Sequence, residues 1–225
     1  MVEFTRKLFS FFAVQKIVVA LFQLFTYNYV KFTKFIAKSI GIFLFAAIFY
    51  LLILFLVHTN LEFIRKSPQS YISFIVFTIC ECWVIGWTLG NTDQSMVFLF
   101  AGNLCSNILA ISIFLHTNKL SWIRGLGFLL VMSLAMFVLS MCTLNYASVI
   151  TILVSTVGGL CFGVFLLYKA FTILENKYTH SLCKEDFLIG SLTIYLDFGF
   201  ILLILLFALL AMIIKSFTNV DSESI

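Results

Sequence analysis

"FLIGSLTIYLDFGFILLILLFALLAMIIK", residues 187–215, carries a single charge, Asp197, before its closing Lys215. The 17 residues from Phe198 to Ile214 are almost uniformly apolar. The stretch exceeds the roughly 20 residues that cross the hydrocarbon core of a bilayer. It reads as a membrane span rather than the buried helix of a soluble protein. A re-entrant segment, the alternative, would return the C-terminus to the cytoplasm.

The rest of the chain has the same character. Of 225 residues, 62% are hydrophobic, 11% are charged and 28 are Phe, with a mean hydropathy of +1.12. A soluble domain of this length cannot enclose so much apolar surface. Seven apolar segments stand out, at about 8–30, 39–58, 71–90, 95–116, 123–143, 147–173 and 187–214. Between them lie short polar stretches. Lys31, Lys34 and Lys38 follow the first segment, and "LEFIRKSPQS", holding Pro68, the chain's single proline, follows the second. "NTDQ", "HTNKLSWIR", "TLNYAS" and "ENKYTHSLCKED" follow the next four. The expectation is an all-α, polytopic membrane protein: one transmembrane domain over residues 1–225, built as a seven-helix bundle with short loops. Too few polar residues remain for a separate soluble domain.

The opening "MVEFTRKLFSFFAVQKIVVALF" has the basic pair Arg6 and Lys7, but its apolar run is long, is interrupted by Gln15 and Lys16, and lacks a small-x-small cleavage site. It reads as a retained first span, not a cleaved signal peptide. Arg6, Lys7, Arg65, Lys66, Lys119, Arg124, Lys177 and Lys184 fall on the side of the N-terminus, against Lys31, Lys34, Lys38 and Lys215 opposite. This bias predicts a cytoplasmic N-terminus. The formal charge of +4 is spread over these loops. It sets topology and forms no nucleic-acid patch.

Metal and enzyme signatures are scarce. Five cysteines (Cys80, Cys82, Cys105, Cys142, Cys161) lie within apolar runs and Cys183 in a polar loop. "CEC" at 80–82 lacks the further Cys or His ligands of a metal site, so these thiols read as small hydrophobes. His58, His116 and His180 are dispersed, and neither an HExxH motif nor an Asn-x-Ser/Thr sequon occurs. No enzyme activity and no cofactor are expected.

Ionisable residues inside the membrane are costly, which makes them functional candidates. Glu81, Lys169 and Asp197 qualify. Asp197 lies roughly 15 Å into its helix, too deep for a short side chain to reach interfacial water. It must be protonated, paired or facing a wet cavity. Lys169 is roughly 9 Å from the end of the preceding antiparallel helix, within reach of Asp197. The preferred pairing is Lys169–Asp197; the alternative is a snorkelling lysine and a neutral aspartate. Glu81 is either a structural hydrogen-bonding node or a functional acid. Asn103, Ser106 and Asn107 share one helix face and line a polar path or bond neighbouring helices. Gly86/Gly90 and Gly159/Gly163 have the GxxxG spacing that lets helices approach closely.

"KEDFLIGSLTIYLDFGFILLILLFALL" resembles the last segment of the transmembrane Bax-inhibitor-motif proteins, with Tyr195-Leu196-Asp197 as its sharpest motif. "STVGGLCFGVFLLYKAFTIL" is similar to that family's sixth helix, "RKSPQSYISFIVFTICECWVIG" to its basic loop and third helix, and "LHTNKLSWIRGLGFLLVMSL" to its fifth. "TRKLFSFFAVQKIVVALFQL" fits the opening segment loosely. The resemblance implies a seven-helix bundle with the last helix near the centre, a calcium leak across the endoplasmic reticulum, Golgi or plasma membrane, and dampened apoptosis. It also implies a proton-sensitive pair of aspartates on the last two long helices. Asp197 matches one, but Lys169 stands where the other belongs. A carboxylate facing an ammonium does not share a proton as two carboxylates do. The expected gate is therefore less responsive to mild acid, and the ammonium stands where calcium would pass. Viral genomes carry relatives of this family, and the short loops, the many phenylalanines and the exchanged aspartate suit such a copy.

The expectation is thus a calcium-leak channel or regulator of calcium homeostasis, with Asp197, Lys169 and Glu81 on the ion pathway and calcium as the permeant ion. Its partners would be the lipid bilayer and membrane proteins of apoptotic or calcium signalling. The competing expectation is a non-conducting interaction protein that modulates host signalling, trafficking or cell death.

Overall fold

The computed structural model describes residues 2–91, 94–117, 120–143, 149–175 and 186–196. Nine helices and no strand occur among the described residues. Six are long and apolar enough to cross a membrane: α1 (Val2–Asn28), α3 (Ile40–Thr59), α5 (Gln69–Asn91), α6 (Gln94–Leu115), α7 (Trp122–Thr143) and α8 (Val149–Leu174). Only helices satisfy every backbone group within a lipid-facing segment, so apolar runs of this length fold this way. Of the seventh segment, α9 (Phe187–Leu196) is described. Its remainder, Asp197 included, lies outside the described residues, so a count of seven spans rests on the sequence.

Two short helices were not expected. The lysine-bearing stretch after the first span forms α2 (Val30–Lys38), and residues within "LEFIRKSPQS" form α4 (Leu61–Arg65). Both were read as loops because each is shorter than the window over which helical periodicity shows clearly. Pro68 stands just ahead of α5, where its missing N–H removes no bond from the helix.

The helices alternate in direction. Arg6 Nε donates to the carbonyl of Leu115 at 2.6 Å, and at the other end Tyr27 stacks on Phe98 with centroids 4.8 Å apart. These contacts place α1 antiparallel to α6. The six membrane-crossing helices and α9 bury Phe9, Phe12, Phe77, Phe114 and Phe162 within one core. Outward faces are apolar as well: Phe45, Leu51 and Phe55 of α3 and Ile123, Val131 and Leu134 of α7 are more than half exposed. A surface of that kind belongs against lipid tails.

Small residues set the closest approaches. A Cβ on Gly159 would stand 2.5 Å from Asn103 Cβ, and one on Gly90 would stand 2.8 Å from Ala37 Cβ. The pair on α8 thus seats α6, and the pair on α5 seats α2. Both GxxxG spacings serve packing within the chain. Residues Leu188 to Tyr195 of α9 are buried without interruption, against α1, α3 and α5. This burial on every face puts the start of the last segment inside the bundle.

Candidate functional site

The deepest polar cluster gathers on Glu81. Lys16 lies 14 residues beyond Val2 on α1, and Glu81 lies 12 residues beyond Gln69 on α5. Both helices start at the same end of the bundle, so the two side chains sit roughly 21 Å and 18 Å along their axes, close to one level. There the Lys16 ammonium donates to Glu81 Oε1 and forms a salt bridge with it. Gln15 Nε2 donates to Oε2 at 3.1 Å. From α9 the Tyr195 hydroxyl donates to Oε2 at 3.2 Å, with Oε1 3.4 Å away. Three helices therefore converge on one carboxylate.

Aromatic rings wall the cluster. The Lys16 ammonium lies 4.6 Å from the centre of the Tyr195 ring and 5.6 Å from that of Phe12, within cation–π range. Tyr195 packs against Phe77 at 4.8 Å, and Tyr50 stacks on Phe77 at 4.4 Å. A lone charge here would cost several kcal/mol, whereas opposite charges with additional donors offset much of that desolvation. Glu81 thus has both carboxylate oxygens engaged, Oε1 by Lys16 and Oε2 by Gln15 and Tyr195.

Among the acids read from the sequence, only Glu81 has its partners in view. Its partner Lys16 was read merely as an interruption of the first apolar run, and Tyr195 merely as part of a motif. A usable signal was present: opposite charges lie at equal depth on two spans that start from the same side. Lys169 is half-buried on α8, with its ammonium 5.5 Å from the Phe165 ring centre and 6.0 Å from that of Tyr168. Asp197 lies outside the described residues, and with it the Lys169–Asp197 pair.

The face formed by Asn103, Ser106 and Asn107 meets α8. Asn107 Nδ2 donates to the carbonyl of Gly159 at 2.9 Å, and the Ser133 hydroxyl of α7 donates to Asn107 Oδ1 at 3.0 Å. Asn103 Nδ2 turns to the Leu99 carbonyl of its own helix, 2.9 Å away. Asn103 Oδ1 and the Ser106 hydroxyl are buried without a hydrogen-bond partner among the described residues. Asn107 is therefore an interhelical bonding node joining α6, α7 and α8. Cys80 and Cys82 are buried free thiols, and no group of three or more His, Cys, Asp or Glu is placed to hold a metal among the described residues. At the end of the bundle that holds Arg6, Arg65 Nε lies 2.9 Å from Asp186 Oδ2, tying α4 to the entry of α9.

Comparison with known proteins adds a relationship to this geometry. No family model matches the chain, and no solved structure matches it. It is 22% identical to Protein lifeguard 3 of Homo sapiens over 205 residues, covering 88% of this chain and 65% of the human protein. It is 24% identical to Protein lifeguard 3 of Mus musculus over 143 residues, 61% of this chain and 46% of the mouse protein. The chain thus spans less than two thirds of the length of these curated relatives. The resemblance carried by the sequence is borne out.

Proposed function

We propose that this chain, a divergent relative of the lifeguard proteins in the Bax-inhibitor family, is a multi-pass protein of an intracellular or plasma membrane that regulates calcium and dampens apoptosis through a gated cation leak. The supporting observation is the Glu81 cluster. A carboxylate near mid-membrane is the kind of group a permeating divalent cation needs, and here an ammonium covers it. On this reading Lys16 neutralises the ligand and repels an entering cation, which would keep the leak closed while the pair is made. Tyr195 links the same carboxylate to α9, and movement of the last segment would release it. The Lys169–Asp197 pair would act in series as the modified gate, two residues beyond Tyr195.

Calcium influx into dye-loaded liposomes, recorded from pH 6 to pH 8, tests this. Wild type should leak weakly at every pH, and Lys16→Gln should leak faster. Glu81→Gln and Asp197→Asn should leak less, and Lys169→Asp should introduce pH dependence. If every folded variant is as tight as empty liposomes, the leak reading fails. The second reading then stands: a non-conducting interaction protein modulating signalling, trafficking or cell death.

A further inference from the structure

The helix α2 sits between two spans and cannot itself cross a bilayer, since nine residues rise only about 14 Å. Because α1 ends at Asn28 and α3 starts at Ile40, α2 lies where the bundle meets the head groups. Its orientation there is set by packing. Thr33 and Ile36 are buried, Ile36 and Ala37 reach towards Gly86 and Gly90 of α5, and the Thr33 hydroxyl donates to the carbonyl of Thr26. Asn91 Nδ2 donates to the Ala37 carbonyl at 3.4 Å. One face is therefore anchored to the bundle.

The opposite face is basic. At 3.6 residues per turn, Lys31, Lys34 and Lys38 fall within an arc of about 60° on the side away from Ile36. All three are exposed. Val30, 61% exposed, and Phe35, 55% exposed, flank that arc on its two sides, and Tyr29 stands exposed just ahead of the helix. Lysines edged by apolar and aromatic side chains form the pattern of a helix lying in a membrane interface. Among the described residues the acids Glu3, Glu62, Glu175 and Asp186 stand at the other end of the bundle, and Glu81 at mid-depth. Asp93 lies outside the described residues.

We propose that α2 is a docking surface for anionic phospholipid head groups, with Lys31, Lys34 and Lys38 contacting the phosphates while Val30 and Phe35 enter the acyl boundary. Topology does not account for these lysines, because they lie opposite the end where most basic residues collect. Charge complementarity does. The site is independent of any ion conduction, so it stands or falls apart from the leak.

The test is thermal unfolding of the purified chain in dodecyl maltoside micelles, titrated with phosphatidylserine, phosphatidylcholine or inorganic phosphate. Phosphatidylserine should raise the Tm of the wild type, and the other two should not. The variant Lys31→Gln/Lys34→Gln/Lys38→Gln should match wild type with phosphatidylcholine but need up to about a hundredfold more phosphatidylserine for the same rise. The corresponding triple Arg variant should respond as wild type, and 0.5 M salt should weaken the response. If the triple Gln variant fails to fold, Lys34→Gln alone should show a smaller loss of response. Equal responses to both lipids, an undiminished response in the Gln variants, or a rise produced by inorganic phosphate would each overturn the proposal.

Discussion

Lys16 of α1 and Glu81 of α5 meet as an ion pair inside the bundle, each side chain 6% exposed. Removing one partner strands the other in a low-dielectric site, and such losses run to about 3–5 kcal/mol. Lys16→Met and Glu81→Gln should each fall towards the lower end, because Gln15 and Tyr195 still bond Glu81 and the Phe12 and Tyr195 rings still face Lys16. The double variant Lys16→Met/Glu81→Gln should lose less than the sum of the two. Denaturant unfolding in micelles, analysed as a double-mutant cycle, measures the coupling. Strict additivity would show that the pair contributes nothing jointly.

Tyr195 separates two contributions on one side chain. Its ring fills space among Phe12, Phe77 and Tyr50, and its hydroxyl donates to Glu81. Tyr195→Phe keeps the ring and should cost about 1 kcal/mol, modest because the bond is long at 3.2 Å. Tyr195→Ala also opens a cavity and should cost about 3–5 kcal/mol. In a Lys16→Met background the hydroxyl becomes one of the few donors left to Glu81, so Tyr195→Phe should cost more there than alone. An equal cost in both backgrounds would separate Tyr195 from the charge network.

Long apolar runs made the spans legible, because the bilayer imposes both their composition and their length. Glu81 was legible too, since a carboxylate amid "FTICECWVIGW" is conspicuous on cost alone. Its partner was not. Periodicity tells which face of a helix is buried but not which helix lies against it, and Lys16 reaches Glu81 across 65 positions of sequence. The Asn103, Ser106 and Asn107 face was readable as a stripe, but its neighbour, the Gly159 carbonyl of α8, required the fold. The helix α2 escaped because its three lysines resemble a loop until its buried Thr33 and Ile36 are seen. The gate pairing of Lys169 with Asp197 remains a reading of the sequence, since Asp197 lies outside the described residues.

Arg65 and Asp186 differ in burial, and the difference predicts an asymmetry. The aspartate side chain is 4% exposed and the arginine 32%. Arg65→Gln leaves a buried carboxylate facing a weaker partner, whereas Asp186→Asn leaves a cation that can turn to water. Arg65→Gln should therefore cost more, and Asp186→Asn should stay near about 1 kcal/mol. Unfolding midpoints of the two variants decide it, and the reverse order would mean that Asp186 is held mainly by other contacts.

Glycines on the packed and lipid faces should respond in opposite ways to the same added methyl. At Gly159 a Cβ would lie 2.5 Å from Asn103 Cβ, and atoms of two helix stems cannot yield as the tip of a flexible side chain can. Gly159→Ala must push α8 from α6, stretching the bond from Asn107 to the Gly159 carbonyl, and should cost about 1–3 kcal/mol. At Gly127 of α7 a Cβ would meet nothing within 4 Å. Gly127→Ala should leave stability unchanged or raise it by up to about 1 kcal/mol, since alanine restricts the unfolded chain more than glycine does. Melting both variants in the same micelles compares them directly. Equal effects would mean that the α6–α8 contact is looser than its glycines require, and the bonding node at Asn107 would then need no small residue opposite it.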